Sequence, residues 1–317
     1  MTPALWTVII GVGIIAGLLG IATGMIWIER RLLARFQDRI GPNRVGPFGL
    51  LQPIADVIKL FTKEDWIPPF GDKLIFVIAP AIVVVPILLA FAVVPFTQFI
   101  KVSDANVGLL FFLGMTSLGI YSIVLAGWSS NSKYSLIGGM RAAAQLISYE
   151  IPMALSLVGV VMLAGSLRLT DIVNAQSPVW YVAFQPIGFV IFVIAGFAES
   201  RRIPFDLPEA DSELVAGYHT EYSSMKFALF FMGEYLDIVL ISAMATVLFL
   251  GGWHGPVLPG IVWFFGKMAA MIFVFIWVRS VMPRFRFDQL MSFGWKWLLP
   301  LSLLNVLVTG AVALAAR

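Results

Sequence analysis

Cysteine is absent from the 317 residues, and histidine occurs only twice, as His219 and His254. Without cysteine the chain can form no disulfide, no thiolate-held iron–sulfur cluster and no cysteine-type zinc site. The span order given below places the two histidines on opposite sides of a membrane, so they cannot jointly ligate a haem. Any redox electrons would therefore be carried by something other than this chain.

Charge is also scarce. Only 12% of the residues are charged, whereas 60% are hydrophobic and the mean hydropathy is +0.93. Since soluble domains are about a quarter charged, this chain must contact lipid over much of its surface, which indicates a polytopic membrane protein. The net charge of +3 is better explained by basic cytoplasmic loops than by nucleic-acid binding.

Eight apolar stretches are long enough, or nearly so, to cross a hydrocarbon core of about 30 Å as helices. They are continuously apolar rather than alternating, which excludes a barrel. We therefore expect an all-α membrane protein that forms one integral domain over residues 1–317. The stretches are 4–28, 74–96, 108–127, 148–167, 182–198, 233–250, 261–281 and 293–315.

The positions of the charges orient these spans. The first span has no Lys or Arg before it, which does not fit a cleaved signal peptide and places the N-terminus outside. Seventeen of the 21 Lys and Arg fall on one side, and the positive-inside rule makes that side cytoplasmic, with both termini periplasmic. Sixteen of the 18 acids fall on that side too, which the rule does not require, so the inner half has a function. The inner loops are 29–73, 128–149, 199–232 and 279–296.

Apolar residues recur at helical spacing in the first inner loop, at Leu50, Leu51, Ile54, Ile58 and Phe61. They follow two Gly-Pro steps that fix a turn over 41–47. About 12 residues are too few to span a bilayer, so we expect a short amphipathic helix at the membrane surface.

Carboxylates at the predicted span ends are candidates for proton transfer. Glu150 begins the fourth span, where it is either a first-turn cap beside Pro152 or a proton-relay group. Glu234 and Asp237 lie one turn apart at the start of the sixth span, so they share a face on which two carboxylates are not both cheaply ionised.

The loop 199–232 leaves simpler alternatives open. Glu209 and Glu213 share a face if their segment is helical, but a solvated acidic loop would explain them as well. His219 is more often a hydrogen-bonded structural residue than a catalyst. The sequence contains no P-loop, no nucleotide-binding glycine motif and no HExxH, so physical reasoning alone leaves proton or ion movement, or a lipid-facing pocket for an amphiphile.

Eight specific motifs are spread along the chain. They are ERR at 29–31, GPNRVGP at 41–47, LQPIAD at 51–56, FTKE at 61–64, GWSSNSKY at 127–134, ISYE at 147–150, RIPFDLPE at 202–209 and PRFRFDQL at 283–290. With these motifs the chain resembles the family of the H subunit of respiratory complex I, the bacterial counterpart of mitochondrial subunit 1. The resemblance runs from about residue 20 to about residue 300.

The resemblance implies a membrane-arm subunit of a proton-pumping NADH:quinone oxidoreductase in the bacterial inner membrane. It implies a chamber at the junction with the peripheral arm, through which ubiquinone or menaquinone reaches an iron–sulfur cluster in a neighbouring subunit. Quinone would be a substrate, and the chain itself would hold no metal or covalent cofactor. The implied partners are the peripheral-arm quinone-site and iron–sulfur subunits, the small membrane-arm subunits, quinone and lipid, and not nucleic acid.

The resemblance also implies roles for individual residues, none of them catalytic. The residues of the quinone channel would be Glu29, Arg30, Arg202, Asp206 and Arg279. The residues of the proton and coupling path would be Asp56, Glu150, Glu199, Glu209, Asp211, Glu213, Glu221 and Glu234.

Two rival functions stay open at the level of sequence. One is the anchor subunit of a membrane-bound hydrogenase or of a dehydrogenase that uses F420 or ferredoxin. The other is a stand-alone ion transporter that needs no peripheral partner. The close match through residues 202–222 favours the quinone enzyme over the hydrogenase.

Overall fold

The computed structural model describes residues 3–208 and 214–315, with side chains from residue 9 onward, and within this part every regular element is a helix. Seven helical spans there are long and apolar enough to cross a membrane. They are α1 (Pro3–Phe36), α3 (Lys73–Ala90), α4 (Gly108–Ser129), α5 (Lys133–Ala164), α9 (Ser224–Leu248), α10 (Gly260–Val281) and a last span in which α11 (Phe287–Phe293) continues through a π-helical turn (Gly294–Leu298) into α12 (Leu299–Ala315). The all-α prediction is confirmed, while the side on which the termini lie stays a prediction.

The described part also contains four shorter α-helices, α2 (Gln52–Thr62), α6 (Leu169–Ala175), α7 (Tyr181–Phe184) and α8 (Pro186–Glu199), and three 3₁₀ turns, Pro47–Gly49, Phe91–Val93 and Gly217–His219. The predicted surface helix over 50–61 is confirmed as α2. It leaves Ile54, Ile58 and Phe61 more than half exposed, as a helix facing lipid would.

The predicted fifth span, 182–198, is interrupted. Gln185 leaves helical geometry between α7 and α8, and Pro186 begins α8 because proline fits the first turn of a helix. Gln185 is held there by a bond from its Nε2 to Thr309 Oγ1 at 2.6 Å and a bond from Asn305 Nδ2 at 2.8 Å. At 14 residues, α8 is apolar but shorter than the other spans.

The predicted fourth span began at 148, but α5 begins at Lys133. Glu150 and Pro152 therefore lie inside the helix, and the interpretation of Glu150 as a first-turn cap is wrong. The error has a physical cause: hydropathy marks where a helix meets lipid, whereas the backbone hydrogen bonds continue beyond that boundary. Buried Gln145, in the added segment, donates to Ala198 O at 2.9 Å and to Phe205 O at 2.8 Å.

The predicted sixth span began at 233, but α9 begins at Ser224, so Glu234 and Asp237 lie within the helix rather than at its start. Helix α9 is the most buried of the seven spans and packs against α3, α10, α1 and α8. Two glycines allow this close approach. A Cβ on Gly233 would lie 2.2 Å from Val83 Cγ1 on α3, and a Cβ on Gly196 of α8 would lie 2.5 Å from Ile241 Cγ2 on α9.

At the end of the bundle where α3 runs into α4, one carboxylate joins two loops. We call Lys101, Asp104, Arg168 and Thr170 the Asp104 cluster. Asp104 accepts from Arg168 Nη2 at 2.6 Å, from Lys101 Nζ at 2.5 Å and from Thr170 Oγ1 at 2.7 Å. The Arg168 guanidinium, with help from Lys101 and Thr170, holds the pKa of Asp104 well below its usual range.

Candidate functional site

Glu29, in the last third of α1, joins three distant parts of the chain. It is 3% exposed and accepts a hydrogen bond from Arg279 on α10. Arg202, in the segment after α8, donates from Nη1 to both carboxylate oxygens of Glu29, at 3.1 and 3.4 Å. The structure thus brings together three of the five predicted channel residues.

Arg202 is shared by a second carboxylate. Its Nη2 lies 3.8 Å from Glu234 Oε2 on α9, beyond hydrogen-bond length, and its guanidinium lies over the ring of Tyr235 at 4.4 Å from the centroid. We call Glu29, Arg202, Glu234 and Arg279 the Glu29 cluster. It puts two acids and two cations at the junction of α1, α9, α10 and the segment after α8.

A second buried pair lies one turn further along α9. Asp237 Oδ2 is 3.7 Å from Arg201 Nη2, and Arg201 Nη1 is 3.1 Å from the hydroxyl of Tyr218. Glu199, at the end of α8, is buried and interacts electrostatically with Asp237, Arg201 and Glu150. Glu199, Arg201 and Asp237 line a cavity of about 20 Å³ together with several apolar side chains, and this volume is large enough for one water molecule.

Glu150 faces another span. In the middle of α5, its carboxylate accepts a hydrogen bond from Ser117 Oγ on α4. A hydroxyl can both accept and donate a proton, so this pair can relay one. Glu150 therefore extends the row of acids from α8 and α9 to α5.

A larger cavity lies between α1, α2 and α9, with a volume of about 340 Å³ and mostly apolar walls. Arg30 and Asp56 stand at this cavity and form an ion pair, with Arg30 Nη1 2.6 Å from Asp56 Oδ2. Gln52 Nε2 donates to the other oxygen of Asp56 at 3.2 Å. Tyr235, whose ring lies beneath Arg202, is also part of the cavity wall. Tyr235 therefore joins the cavity to Arg202 of the Glu29 cluster.

The structure also describes two other predicted residues, Asp206 and Glu221. Asp206 accepts from Arg284 Nη2 at 2.7 Å, which ties the segment after α8 to the segment before α11. Glu221 lies between the 3₁₀ turn Gly217–His219 and α9 and is half-buried. The three other predicted path residues, Glu209, Asp211 and Glu213, lie outside the described residues.

Sequence reasoning missed several partners. Arg201 and Arg284 counted only as loop cations, and Ser117, Tyr218 and Tyr235 gave no signal at all, because single polar or aromatic side chains are common in apolar spans. Only the contact with a charged group distinguishes them. In the part of the chain that the structure describes, no group of three His, Asp or Glu side chains is placed to hold a metal ion.

Comparisons with known proteins agree with this architecture. A model of the family described as NADH dehydrogenase matches residues 9–310. In Geobacter metallireducens, the NADH-quinone oxidoreductase H subunit numbered 1 is 58% identical over 301 residues, covering 92% of each chain. The H subunit of the same enzyme in Methylococcus capsulatus is 57% identical over 305 residues, covering 96% of each chain. The H subunit numbered 2 of Rhodopseudomonas palustris is 53% identical over 309 residues, which cover 98% of this chain and 97% of the relative.

These matches run through all seven spans and through the segments that carry the Glu29 cluster and the cavity beside it. The chain therefore belongs to the NADH dehydrogenase family.

Proposed function

We propose that this chain admits quinone to the cavity between α1, α2 and α9 and passes the effect of its reduction to the buried acids of the Glu29 cluster. The chain is an integral protein of the bacterial inner membrane and a membrane-arm subunit of an NADH-quinone oxidoreductase, to which the names of its relatives assign it. Those names favour the quinone enzyme over a hydrogenase anchor or a stand-alone transporter.

The single observation that carries the proposal is the position of Tyr235. Its ring forms part of the wall of the 340 Å³ cavity and also supports Arg202, which pairs with Glu29. A change of charge in the cavity would therefore act on the buried ion pair of Arg202 and Glu29, which the Tyr235 side chain separates from the cavity. In a low dielectric, charges at this range interact strongly.

The cavity suits a quinone chemically. Its volume lies in the range of small-molecule sites, and its walls are apolar enough for an isoprenoid tail. Arg30 offers N–H donors at the wall, and a quinone ring carries two carbonyl acceptors. Asp56 keeps Arg30 oriented through the 2.6 Å ion pair.

Reduction of one quinone takes two electrons and two protons and gives a quinol. The electrons would come from an iron–sulfur cluster in a neighbouring subunit, since this chain has no cysteine to hold one. Negative charge on the ring before protonation would attract Arg202 or Arg279 and loosen their hold on Glu29. Glu29 would then compete for a proton with Glu234, because buried like charges are not both cheaply ionised.

The remaining acids supply a route onward. Asp237, Glu199 and Glu150 follow one another across α9, α8 and α5, with the 20 Å³ cavity between the first two. Their order is that of a proton relay toward the rest of the membrane arm. The peripheral-arm quinone-site subunit and the small membrane-arm subunits are the proposed partners on either side.

The proposal is tested by filling the cavity. Ala228 of α9 lies on its wall, so Ala228→Trp should lower NADH oxidation by a long-tailed quinone at least about tenfold in isolated membranes. NADH oxidation by a hydrophilic acceptor that does not use the membrane arm should stay unchanged.

The matched control is Ala313→Trp, which places the same side chain in a separate apolar groove formed by α5 and α12. Wild-type rates with the long-tailed quinone in Ala228→Trp membranes, or an equal loss in Ala313→Trp membranes, would contradict the proposed quinone cavity.

A further inference from the structure

A second groove lies along another face of α1, away from the quinone cavity. It has a volume of about 560 Å³ and walls that are almost wholly apolar. Helix α1 forms one wall, Phe273 of α10 forms the other, and Phe48, from the turn before α2, closes one end. We call it the Arg31 groove. It shares no lining residue with the Glu29 cluster or with the cavity beside that cluster.

Two arginines stand in this apolar groove. Arg31 and Arg35 lie four residues apart and therefore share a face of α1. The ion pairs of α1 within the described residues are those of Glu29 with Arg202 and Arg279, and that of Arg30 with Asp56. Arg31 and Arg35 belong to none of them, so two like charges repel each other on successive turns.

The arginine nearer the middle of the span is held in place. The guanidinium carbon of Arg31 lies 5.3 Å from the ring centroid of Trp27 and 5.6 Å from that of Phe48. Trp27 Nε1 in turn donates to Phe48 O at 3.1 Å, which fixes both rings. Such cation–π contacts orient a guanidinium and leave its N–H donors available for an anion.

Beside the arginines the groove is hydrocarbon. Ile28 and Leu32 of α1 are four residues apart and therefore line the groove next to Trp27 and Arg31. Phe36 packs edge-to-face on Phe273, with 6.1 Å between the ring centroids. Ile28 and Phe36 are both more than 40% exposed. The groove therefore offers an anion site and an apolar track side by side, at the end of α1 where the cations collect.

We propose that the Arg31 groove binds one anionic phospholipid. Its phosphodiester lies between Arg31 and Arg35, and an acyl chain lies along Leu32 toward Phe273. The charge complementarity selects an anionic headgroup, since the groove offers two cations and no carboxylate to pair with a choline. Basic pockets between membrane helices on the cytoplasmic side recognise anionic lipids in this way.

The test is a lipid titration of the purified full-length chain, followed by native mass spectrometry. Wild type should take up one phosphatidylglycerol before any phosphatidylcholine. Arg31→Gln and Arg35→Gln should each weaken that binding about fivefold, and the double variant about 25-fold, since each arginine near the surface contributes independently.

The matched control is Arg39→Gln, which removes the same charge from an exposed side chain a turn beyond the groove and should change binding less than about twofold. Leu32→Trp gives a second route that keeps both arginines. It fills the apolar track and should abolish the single tight site even if the double arginine variant does not fold.

Three results would overturn the proposal: unchanged phosphatidylglycerol binding in the double variant, an equal loss in Arg39→Gln, or equal binding of phosphatidylcholine. Displacement of the lipid by an equal concentration of inorganic phosphate would also overturn it, because the site would then recognise an anion alone and not a lipid.

Discussion

The Asp104 cluster and the Glu29 cluster both join carboxylates to arginines, but they are built in opposite ways. In the Asp104 cluster one acid accepts from three side chains at 2.5–2.7 Å, which come from its own loop, from Arg168 just before α6 and from Thr170 in α6, and its side chain is 19% exposed. In the Glu29 cluster two acids compete for Arg202, one pair is stretched to 3.8 Å, and the Glu29 side chain is 4% exposed.

Under the proposed function, this difference makes the Asp104 cluster a clamp and the Glu29 cluster a switch. A carboxylate with a full set of short hydrogen bonds has one stable arrangement, so the Asp104 cluster fixes two loops and does little else. Taking a charge out of water costs several kcal/mol, and the attraction within an ion pair offsets this cost only when the two groups are close and well oriented. A buried arginine placed between two acids has a choice of partners, which is what the proposed coupling role requires.

The largest effect should come from Glu29→Gln. Arg202 and Arg279 would lose their common carboxylate, and breaking a buried pair costs about 3–5 kcal/mol. NADH oxidation by quinone in membranes should fall at least about tenfold. Asp104→Asn is the matched control, because it removes one charge from the clamp and should leave the rate within about twofold. Equal losses in the two variants would remove the distinction between clamp and switch.

The next effect should come from Glu150→Gln. An amide cannot take up a proton near neutral pH, so the proposed relay beyond α9 would be interrupted while the complex still assembles. The proton translocation that accompanies each NADH oxidised should fall severalfold in vesicles. Ser117→Ala removes the hydrogen-bond partner but keeps the acid, so its effect should be smaller. If Glu150→Gln vesicles pump at the wild-type ratio, the assignment of Glu150 to the path is wrong.

Much of the fold could be predicted from the sequence, because hydropathy and helical spacing report which segments face lipid. Helix α2 followed from five apolar residues at helical spacing. The ends of α5 and α9 did not, since a helix continues past the membrane boundary wherever its backbone bonds are satisfied. Gln185 marks the other failure, because a break inside an apolar run leaves the hydropathy unchanged.

The sequence predicted which residues belong to the candidate site, but it did not predict which of them contact each other. Motif resemblance identified Glu29, Arg202 and Arg279, yet Glu29 and Arg279 are 250 residues apart and nothing in their spacing indicates contact. The role of Tyr235 follows only from packing, since it depends on a ring lying between a cavity and a guanidinium.

A smaller effect on stability should come from Tyr222, a buried titratable side chain that forms no ion pair with the described residues. Tyr222, just before α9, stacks on Phe76 at 4.0 Å, and burial raises its pKa to about 12. A raised pKa favours the neutral form in the folded state. Its stabilising contribution is therefore complete below about pH 10 and is lost as the pH rises toward 12.

Tyr222→Phe should remove this loss, which amounts to about 3 kcal/mol at most. The measurement is the unfolding midpoint of the purified chain between about pH 8 and pH 12, in which the variant should fall less steeply than wild type. Parallel curves for the two proteins would mean that the phenol is not titrating in the folded state.

The smallest effect tests the clamp itself. The pKa of Asp104 lies below its usual range, so its contribution to stability is present above about pH 4 and is lost as the pH falls toward the depressed value. Asp104→Asn should therefore cost about 1 kcal/mol at neutral pH and progressively less below about pH 4, measured by thermal unfolding. Asp288→Asn is the control, because Asp288 pairs with Arg286 only at an exposed site, and it should shift the midpoint little at any pH. A cost for Asp104→Asn that does not shrink in acid would mean that the carboxylate acts through its shape rather than its charge, and the contrast with the Glu29 cluster would then rest on burial alone.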